Sequence, residues 1–424
     1  MLDLKFIREN PDLVKEACKN KNVSVDIDRL IQVDTRRRDT QGKIDVLNHA
    51  RNEAAKAKDI EQGKALKAQA SSLEEELKTA GEELSMLWMK VPNMPSADTP
   101  VGKNDTENVM LRKVGEPTEF KFTPRDHLEL GEMHDWIDSE KAAEVAGARF
   151  TYLKGDLVML QNALLQFALS VVTSEASLSA IAKEAKLNVS SKSFVPVVPP
   201  LFIRPEVMQK MARLEPREER YHIDSDDLYL IGSAEHTLGP LHMDETLKES
   251  ELPLRYCAYT AAFRREAGSY GKDTKGILRL HQFDKLEMES FSTAETSLDE
   301  QNFFVAIQEY LMHALALPYR VVMSCTGDQG DPDARHIDIE CWMPGEGKYR
   351  ETHSADLMTD YQARRLNTKV KRTTGSEFVH TNDATVIAMG RTLIALVENG
   401  QQEDGNVVVP EVLRPFMNGR EILK

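Results

Sequence analysis

The chain has 424 residues, 41% hydrophobic and 29% charged, which is ordinary for a globular protein with room for two or three domains and a sizeable core. Its net charge of −15 excludes a protein that is basic throughout, so any polyanionic partner has to be met by a local basic surface. The absence of an apolar run of about 18 residues, the charged opening "MLDLKFIRENPDLVKEACKNK", and four scattered cysteines without zinc spacing (Cys18, Cys257, Cys325, Cys341) predict a cytoplasmic chain with reduced thiols, no zinc and no membrane partner.

Along the chain, Asn10, Pro11 and Asp12 read as a helix start after a short first helix. A long polar helical region then runs over residues 27–91. In its second half Leu66, Ala70, Leu73, Leu77, Ala80, Leu84, Leu87 and Val91 recur at alternating three- and four-residue spacing, the seam of a coiled coil. The first half holds that period more loosely, with Leu30, Val33, Ile44, Leu47 and Ala54. Between them "AKDIEQGKA" breaks the pattern, which predicts an antiparallel helical hairpin. Arg29, Arg36, Arg37, Arg38, Lys43, Arg51, Lys56 and Lys58 give the first helix a basic flank that suits a nucleic-acid backbone, or simply a solvated face.

Three prolines, Pro92, Pro95 and Pro100, then mark a linker and a domain boundary near residue 100. Downstream, helical stretches such as "GDLVMLQNALLQFALSVVTS" alternate with strand-like "SFVPVV", "DLYLIGS", "YRVVMS", "HIDIECWM" and "NVVVPEVL". No strand-helix-strand repeat emerges, so the expectation is an α+β domain on a mainly antiparallel sheet. There is no P-loop and no strand-linked GxGxxG.

Four stretches concentrate polar groups. "FRREAGSYGKDTKGILRLHQFDKLE" reads as two strands around a loop, with Arg264 and Glu266 on one and Phe283, Lys285 and Glu287 sharing a face of the other. "LYLIGSAEHTL" places Ser233 and Glu235 after a strand. "GKYRETHSAD" carries Glu351 and Ser354, and "HTNDATVIAMGRTLIALVEN" carries Asn382, Asp383 and Thr385 ahead of an apolar helix with Arg391. Taken singly, these are a salt-bridged hairpin, a helix N-cap, an acidic loop and a capped core helix. Together they offer guanidinium forks for phosphate, carboxylates for a metal or an amine, hydroxyls for a small polar ligand and a ring for a base.

"FRREAG" with "LRLHQFDKLE" resembles motif 2 of the class II aminoacyl-tRNA synthetases. The whole chain resembles the seryl-tRNA synthetases, through "MLDLKFIRENPDLV", "VGKNDTEN", "LELGEMHDWID", "FVPVVPP", "CTGDQGD", "GKYRE", "DYQARR" and "VPEVLRPFM". The resemblance implies an N-terminal tRNA-binding domain (residues 1–100, arm 27–91) and a class II catalytic domain (residues 101–424). It implies a homodimer with Pro199 or Pro200 at the interface, and serine, ATP with Mg²⁺, tRNA(Ser) and tRNA(Sec) as ligands.

Carried over residue by residue, the resemblance assigns catalysis to Arg264, Glu266 and Arg391. Serine would lie among Ser233, Ala234, Glu235, Arg264, Glu287 and Thr385. ATP would meet Arg264, Arg265, Glu266, Phe283, Glu351, Thr352, His353, Ser354 and Arg391, with Glu351 and Ser354 on Mg²⁺. The loop "GSYGKDTKG" is expected to be mobile and to meet the tRNA acceptor end. Departures from the family pattern are Ser233 where threonine is usual, Asp383 where asparagine is usual, and His353 and Leu357 where serine and asparagine are common. Two other readings stand beside a tRNA ligase: a paralogue that adenylates an amino acid for a carrier protein, and a non-catalytic regulator. The long hairpin discriminates against the first, and retention of Arg264, Glu266, Glu287, Glu351 and Arg391 against the second.

Overall fold

The computed structural model describes residues 1–267 and 276–424, so the "GSYGKDTKG" loop, apart from its last glycine, lies outside the described residues. Two compact units are present, Met1–Met94 and Pro95–Lys424.

In the first unit, α1 (Leu4–Glu9) and α2 (Pro11–Asn20) precede two long helices, α3 (Ile27–Lys56) and α4 (Ile60–Trp88), packed against each other as a hairpin. Asp26 and Asp59 cap α3 and α4, accepting from Arg29 N at 2.8 Å and Gln62 N at 2.9 Å. The break is therefore confined to residues 57–59, with Lys58 in the left-handed region (φ 58°). Leu30, Val33, Ile44 and Ala54 of α3 and Ala70, Ala80 and Leu84 of α4 are buried in the seam.

The basic flank of α3 is partly neutralised within the unit. Arg29 and Arg36 both pair with Glu83 of α4, at 2.5 and 2.7 Å. Buried Asp34 takes Arg8 at 2.7 Å and Arg37 and Arg38 at 3.2 Å.

In the second unit eight strands form one sheet: β1 (Val109–Val114), β2 (Val195–Pro196), β3 (Leu254–Phe263), β4 (Gln282–Ser292), β5 (Tyr319–Met323), β6 (Arg335–Met343), β7 (Lys348–Thr359) and β8 (His380–Ala388). Their order is β1-β5-β6-β7-β8-β4-β3-β2, antiparallel except for β2 along β3. The fold is α+β with a mainly antiparallel sheet. The "SFVPVV" strand is shorter than its pattern suggests. Pro196 lacks the N–H a longer ladder needs, which suits an edge; beyond it Pro199 is buried and Pro200 exposed.

The main core lies between the sheet and helices α5 (Gly155–Val172), α6 (Ser297–Ala314) and α7 (Met389–Asn399). Helix α5 is long and apolar enough to cross a membrane by length and composition, but its Leu157, Leu160, Leu164 and Phe167 belong to this core. The sequence places Asn382, Asp383 and Thr385 as caps before a helix; they instead lie inside β8, and α7 begins only at Met389. Glu351 and Ser354 likewise lie in β7 and not in a loop. The "TNDATVIA" run is buried on both faces, and such a run reads equally well as helix or strand until its neighbours are known.

Arg255 of β3 is almost fully buried, with a forked contact to Glu300 (2.8 and 2.6 Å) and further bonds to the carbonyls of Ser190 and Lys192. Its guanidinium stands 4.8 Å from the ring centroid of Phe303. Replacing it by Met strands the Glu300 carboxylate, and should cost about 3–5 kcal/mol. Urea unfolding measures this; a loss below about 1 kcal/mol would reduce the pair to the worth of a surface contact.

Candidate active site

Strands β7 and β8 are paired at Ala355↔Ala384, and the described pairing stops there toward Ser354 and Thr385. Gln308, from α6 beneath the sheet, donates to the carbonyls of both Ser354 (2.7 Å) and Thr385 (2.8 Å). The two carbonyls where the strands part are thereby satisfied. Above this point lies a cavity of about 310 Å³. That is within the usual range for a small-ligand site.

Of the expected site residues, Glu235, Arg264, Glu266, Phe283, Glu351, Thr352, Ser354, Thr385 and Arg391 line this cavity. They come from stretches far apart in the sequence. One part of the wall is apolar, with Ile277, Leu278, Leu280 and Ala388 near Phe283; another is charged, with Arg213, Lys285, Asp333, His336 and Asp356. Gly390 permits the close approach at the apolar part, since a Cβ there would stand 3.0 Å from the Ile277 carbonyl.

Arg264 and Glu266 are not strand residues, contrary to the two-strand reading. Strand β3 ends at Phe263, and the chain then turns so that Arg264 N donates to His281 O and Arg265 N to Glu219 O, both at 3.0 Å. Glu266 adopts φ 54°, a conformation uncommon for a residue with a side chain, and its carboxylate meets Arg279 at 2.6 Å. Arg264 Nε donates to Gly232 O at 3.0 Å, and the guanidinium carbon lies 5.3 Å from the Phe283 ring centroid.

Arg391, in the first turn of α7, pairs with Glu351 at 3.0 Å and donates to its carbonyl at 2.9 Å. Burial works against a charged Glu351, but Arg391 and the His336 imidazolium hold its carboxyl down at about 2. Ser354 Oγ lies 3.4 Å from Thr385 Oγ1. Ionised Glu351 and the Ser354 and Thr385 hydroxyls line the same cavity, oxygen donors of the kind that Mg²⁺ takes together with phosphates and water.

Several expected residues do not reach the wall. His353 is wholly buried: the register shifts between Ile339 and Glu340, and His353 stands opposite the core residue Ile339. Burial pushes its imidazole down to about 3, and its Nδ1 lies 2.8 Å from the Thr352 hydroxyl. Arg265 stacks its guanidinium 5.6 Å from the Tyr221 ring centroid. Ala234 is buried at the start of the short helix Glu235–Leu238. Ser233 and Glu287 back the cavity through Lys285, whose Nζ is 3.1 Å from Ser233 Oγ and 2.5 Å from Glu287. Burial, with Glu235 nearby, pushes the Glu287 carboxyl up to about 7 despite Lys285.

Five charged wall residues escape a reading of the sequence alone: Arg213, Arg279, Asp333, His336 and Asp356. His336 Nε2 meets Asp338 at 2.9 Å and its Nδ1 is hydrogen-bonded to Asp356; burial opposes its charge, but these two carboxylates raise it well above the usual histidine range. The alternation in "RHID" was the one available signal, whereas Arg213 stands in an ordinary polar turn. Asp383 brings less negative charge than its place in the sequence suggests, because burial and the Glu235 and Asp356 carboxylates push its carboxyl well up.

Comparison with known proteins identifies the family. Residues 1–95 match the seryl-tRNA synthetase N-terminal domain, and residues 219–400 match the class II tRNA synthetase core domain (G, H, P, S and T). A serine--tRNA ligase of Brucella abortus (strain S19) is 40% identical over 435 aligned residues, covering 99% of this chain and 98% of that protein. The crystal structure of seryl-tRNA synthetase from Pyrococcus horikoshii complexed with ATP superposes with a TM-score of 0.90 at 34% identity, covering 100% and 99% of the two chains. That of the cytoplasmic serine-tRNA ligase from Naegleria fowleri in complex with AMP gives 0.88 at 30% identity, with the same coverage. On both domains and over its full length, this chain belongs to the seryl-tRNA synthetase family of class II aminoacyl-tRNA synthetases.

Proposed function

We propose that this serine-tRNA ligase activates L-serine with ATP as seryl-adenylate and transfers serine to the 3′ end of tRNA(Ser), and also of tRNA(Sec). The observation that carries this reading is the meeting, in one cavity, of a phosphate-binding fork (Arg264), a carboxylate and guanidinium pair (Glu351 and Arg391), a ring (Phe283) and an amino-acid end with Glu235 and Thr385.

Phe283 and Arg391 would sandwich the adenine, as ring and cation–π geometry favour. Arg264 would grip the α-phosphate and the serine carboxylate. Glu235 would receive the serine ammonium, with Glu287 and Thr385 on its hydroxyl. A serine carboxylate oxygen attacks the α-phosphorus, the bond to the pyrophosphate oxygen breaks, and pyrophosphate leaves with that electron pair. The terminal ribose hydroxyl of tRNA then attacks the activated carbonyl, loses its proton and expels AMP. No covalent protein nucleophile is required, because orientation and charge stabilisation by Arg264 suffice. Mg²⁺, held by Glu351 and Ser354, would supply further neutralisation of phosphate charge. A site that hydrogen-bonds the serine hydroxyl would reject alanine, which offers Glu287 and Thr385 no hydroxyl in its place. The enzyme would act as a cytoplasmic homodimer, with Pro199 and Pro200 at the dimer interface.

Serine-dependent pyrophosphate exchange into ATP, followed by charging of tRNA(Ser), tests this reading. An enzyme that exchanges pyrophosphate with another amino acid and not with serine would refute it.

The pH dependence follows from Glu287. Its folded carboxyl titrates at about 7, well above an unfolded glutamate. The folded state thus binds the proton more tightly, and this group's stabilising contribution is present at low pH and lost as pH rises toward 7. Serine recognition moves the other way, since only ionised Glu287 accepts from the hydroxyl without competing for it. The KM for serine should fall between pH 6 and 8, and Glu287→Gln should flatten that step. An unchanged step in the variant would assign the titration to another group.

A further inference from the structure

The amino-acid end is built on an unusual array of carboxylates. The strand registers set Glu289 opposite Asp383, Asp383 opposite Asp356, and His336 opposite Asp356 on the next strand. Like charges directly opposed across strands repel. Glu235, Glu287 and Asp383 each bring a carboxylate oxygen to within 4.8 Å of the others. Glu289 is fully buried, and neither of its oxygens has a hydrogen-bond partner among the described residues.

His336 is engaged with Asp338 and Asp356, and Lys285 with Glu287 and Ser233. The cation that enters the centre of the array is Arg213. Its Nε lies 3.0 Å from Glu235, and its Nη2 lies 3.6 Å from Asp383 and 3.7 Å from Asp333. Its side chain is largely buried yet forms part of the cavity wall. Against this array, burial would favour a protonated Glu235, and a neutral carboxyl is a poor receptor for an ammonium. With Arg213 beside it, the Glu235 carboxyl instead lies well below the usual range, although burial works against its charge.

We propose that Arg213 is a positioning residue for amino-acid recognition: its guanidinium neutralises the carboxylate array beneath the amino-acid end and holds Glu235 in place to receive the substrate ammonium. This rests on the reading of the cavity as the serine site. Arg213 would act through Glu235 and not on the reacting atoms, so it should govern the KM for serine far more than the handling of ATP.

Pyrophosphate exchange on the full-length enzyme, with serine and ATP varied separately, tests the proposal. Arg213→Met should raise the KM for serine at least about 30-fold, as expected when one partner of a buried charge pair is removed. The KM for ATP should move less than about threefold, a split that general loosening of the fold would not produce. Arg213→Lys keeps the charge and should stay within about fivefold of wild type for serine. A normal KM for serine in Arg213→Met overturns the role. So does a lysine variant whose KM for serine rises about 30-fold or more, an arm that decides the matter if Arg213→Met does not fold. Wild-type enzyme inert toward serine would overturn the reading of the site itself, whereas active wild type with an unaffected variant overturns the role of Arg213 alone.

Discussion

Arg264→Ala should reduce serine-dependent pyrophosphate exchange by about a thousandfold or more, the upper range for losing a preorganised donor to developing charge. The side chain is anchored at two points, Nε on the Gly232 carbonyl at 3.0 Å and the guanidinium carbon 5.3 Å from the Phe283 ring, while the backbone carbonyl of Arg264 lies 3.1 Å from His281 Nδ1. Such anchoring presets the fork before substrates arrive, so little reorganisation remains at the moment of reaction. Lysine has a point charge and no second donor plane, and should not restore exchange. Titrating ATP and serine separately against the alanine variant gives the measurement. Near-normal exchange would remove Arg264 from the adenylation step.

Deletion of residues 27–91 should leave serine-dependent exchange within a few fold of wild type and lower tRNA charging by about a hundredfold or more, the scale on which loss of several phosphate contacts acts. The hairpin can supply such contacts only with cations not already committed. Arg29, Arg36, Arg37 and Arg38 are held by Glu83 and Asp34, so the charge available for phosphate lies toward the turn, at Lys43, Arg51, Lys56 and Lys58. Lys56 meets the exposed Glu53 at 2.7 Å, a contact that is easily exchanged. Raising salt should weaken charging of the intact enzyme and leave exchange largely unchanged, because counterion release accompanies tRNA binding alone. Charging unaffected by the deletion would sink the role of the arm.

Periodicity made the hairpin legible, since two helices that bury only each other must show their seam at fixed spacing. Leu84, Ala80 and Ala70 are buried where that spacing puts them. The turn was harder to delimit, because "AKDIEQGKA" contains good helix formers, and only the Asp59 cap shows that α4 has already begun at Ile60. In the second unit, strands with strong β-formers, such as Arg335–Met343, were legible, whereas "HTNDATVIA" was not. Its turn-forming residues point to a loop or cap, and neighbouring strands on both sides override that preference.

By itself the sequence determined the family, the helical arm, the α+β class and part of the wall of the cavity, because motif residues such as Arg264, Phe283, Glu351 and Arg391 lie in recognisable local patterns. Tertiary structure alone decided which of their neighbours face the cavity. His353 is buried opposite core residue Ile339, Arg264 stands just past the end of its strand, and Asp383 sits in a crowd of carboxylates that alters its charge. Most of all, it brought Arg213 to Glu235, Asp333 and Asp383. Charge balance in a buried site is a sum over residues that register and packing bring together, and no local pattern in the chain records that sum.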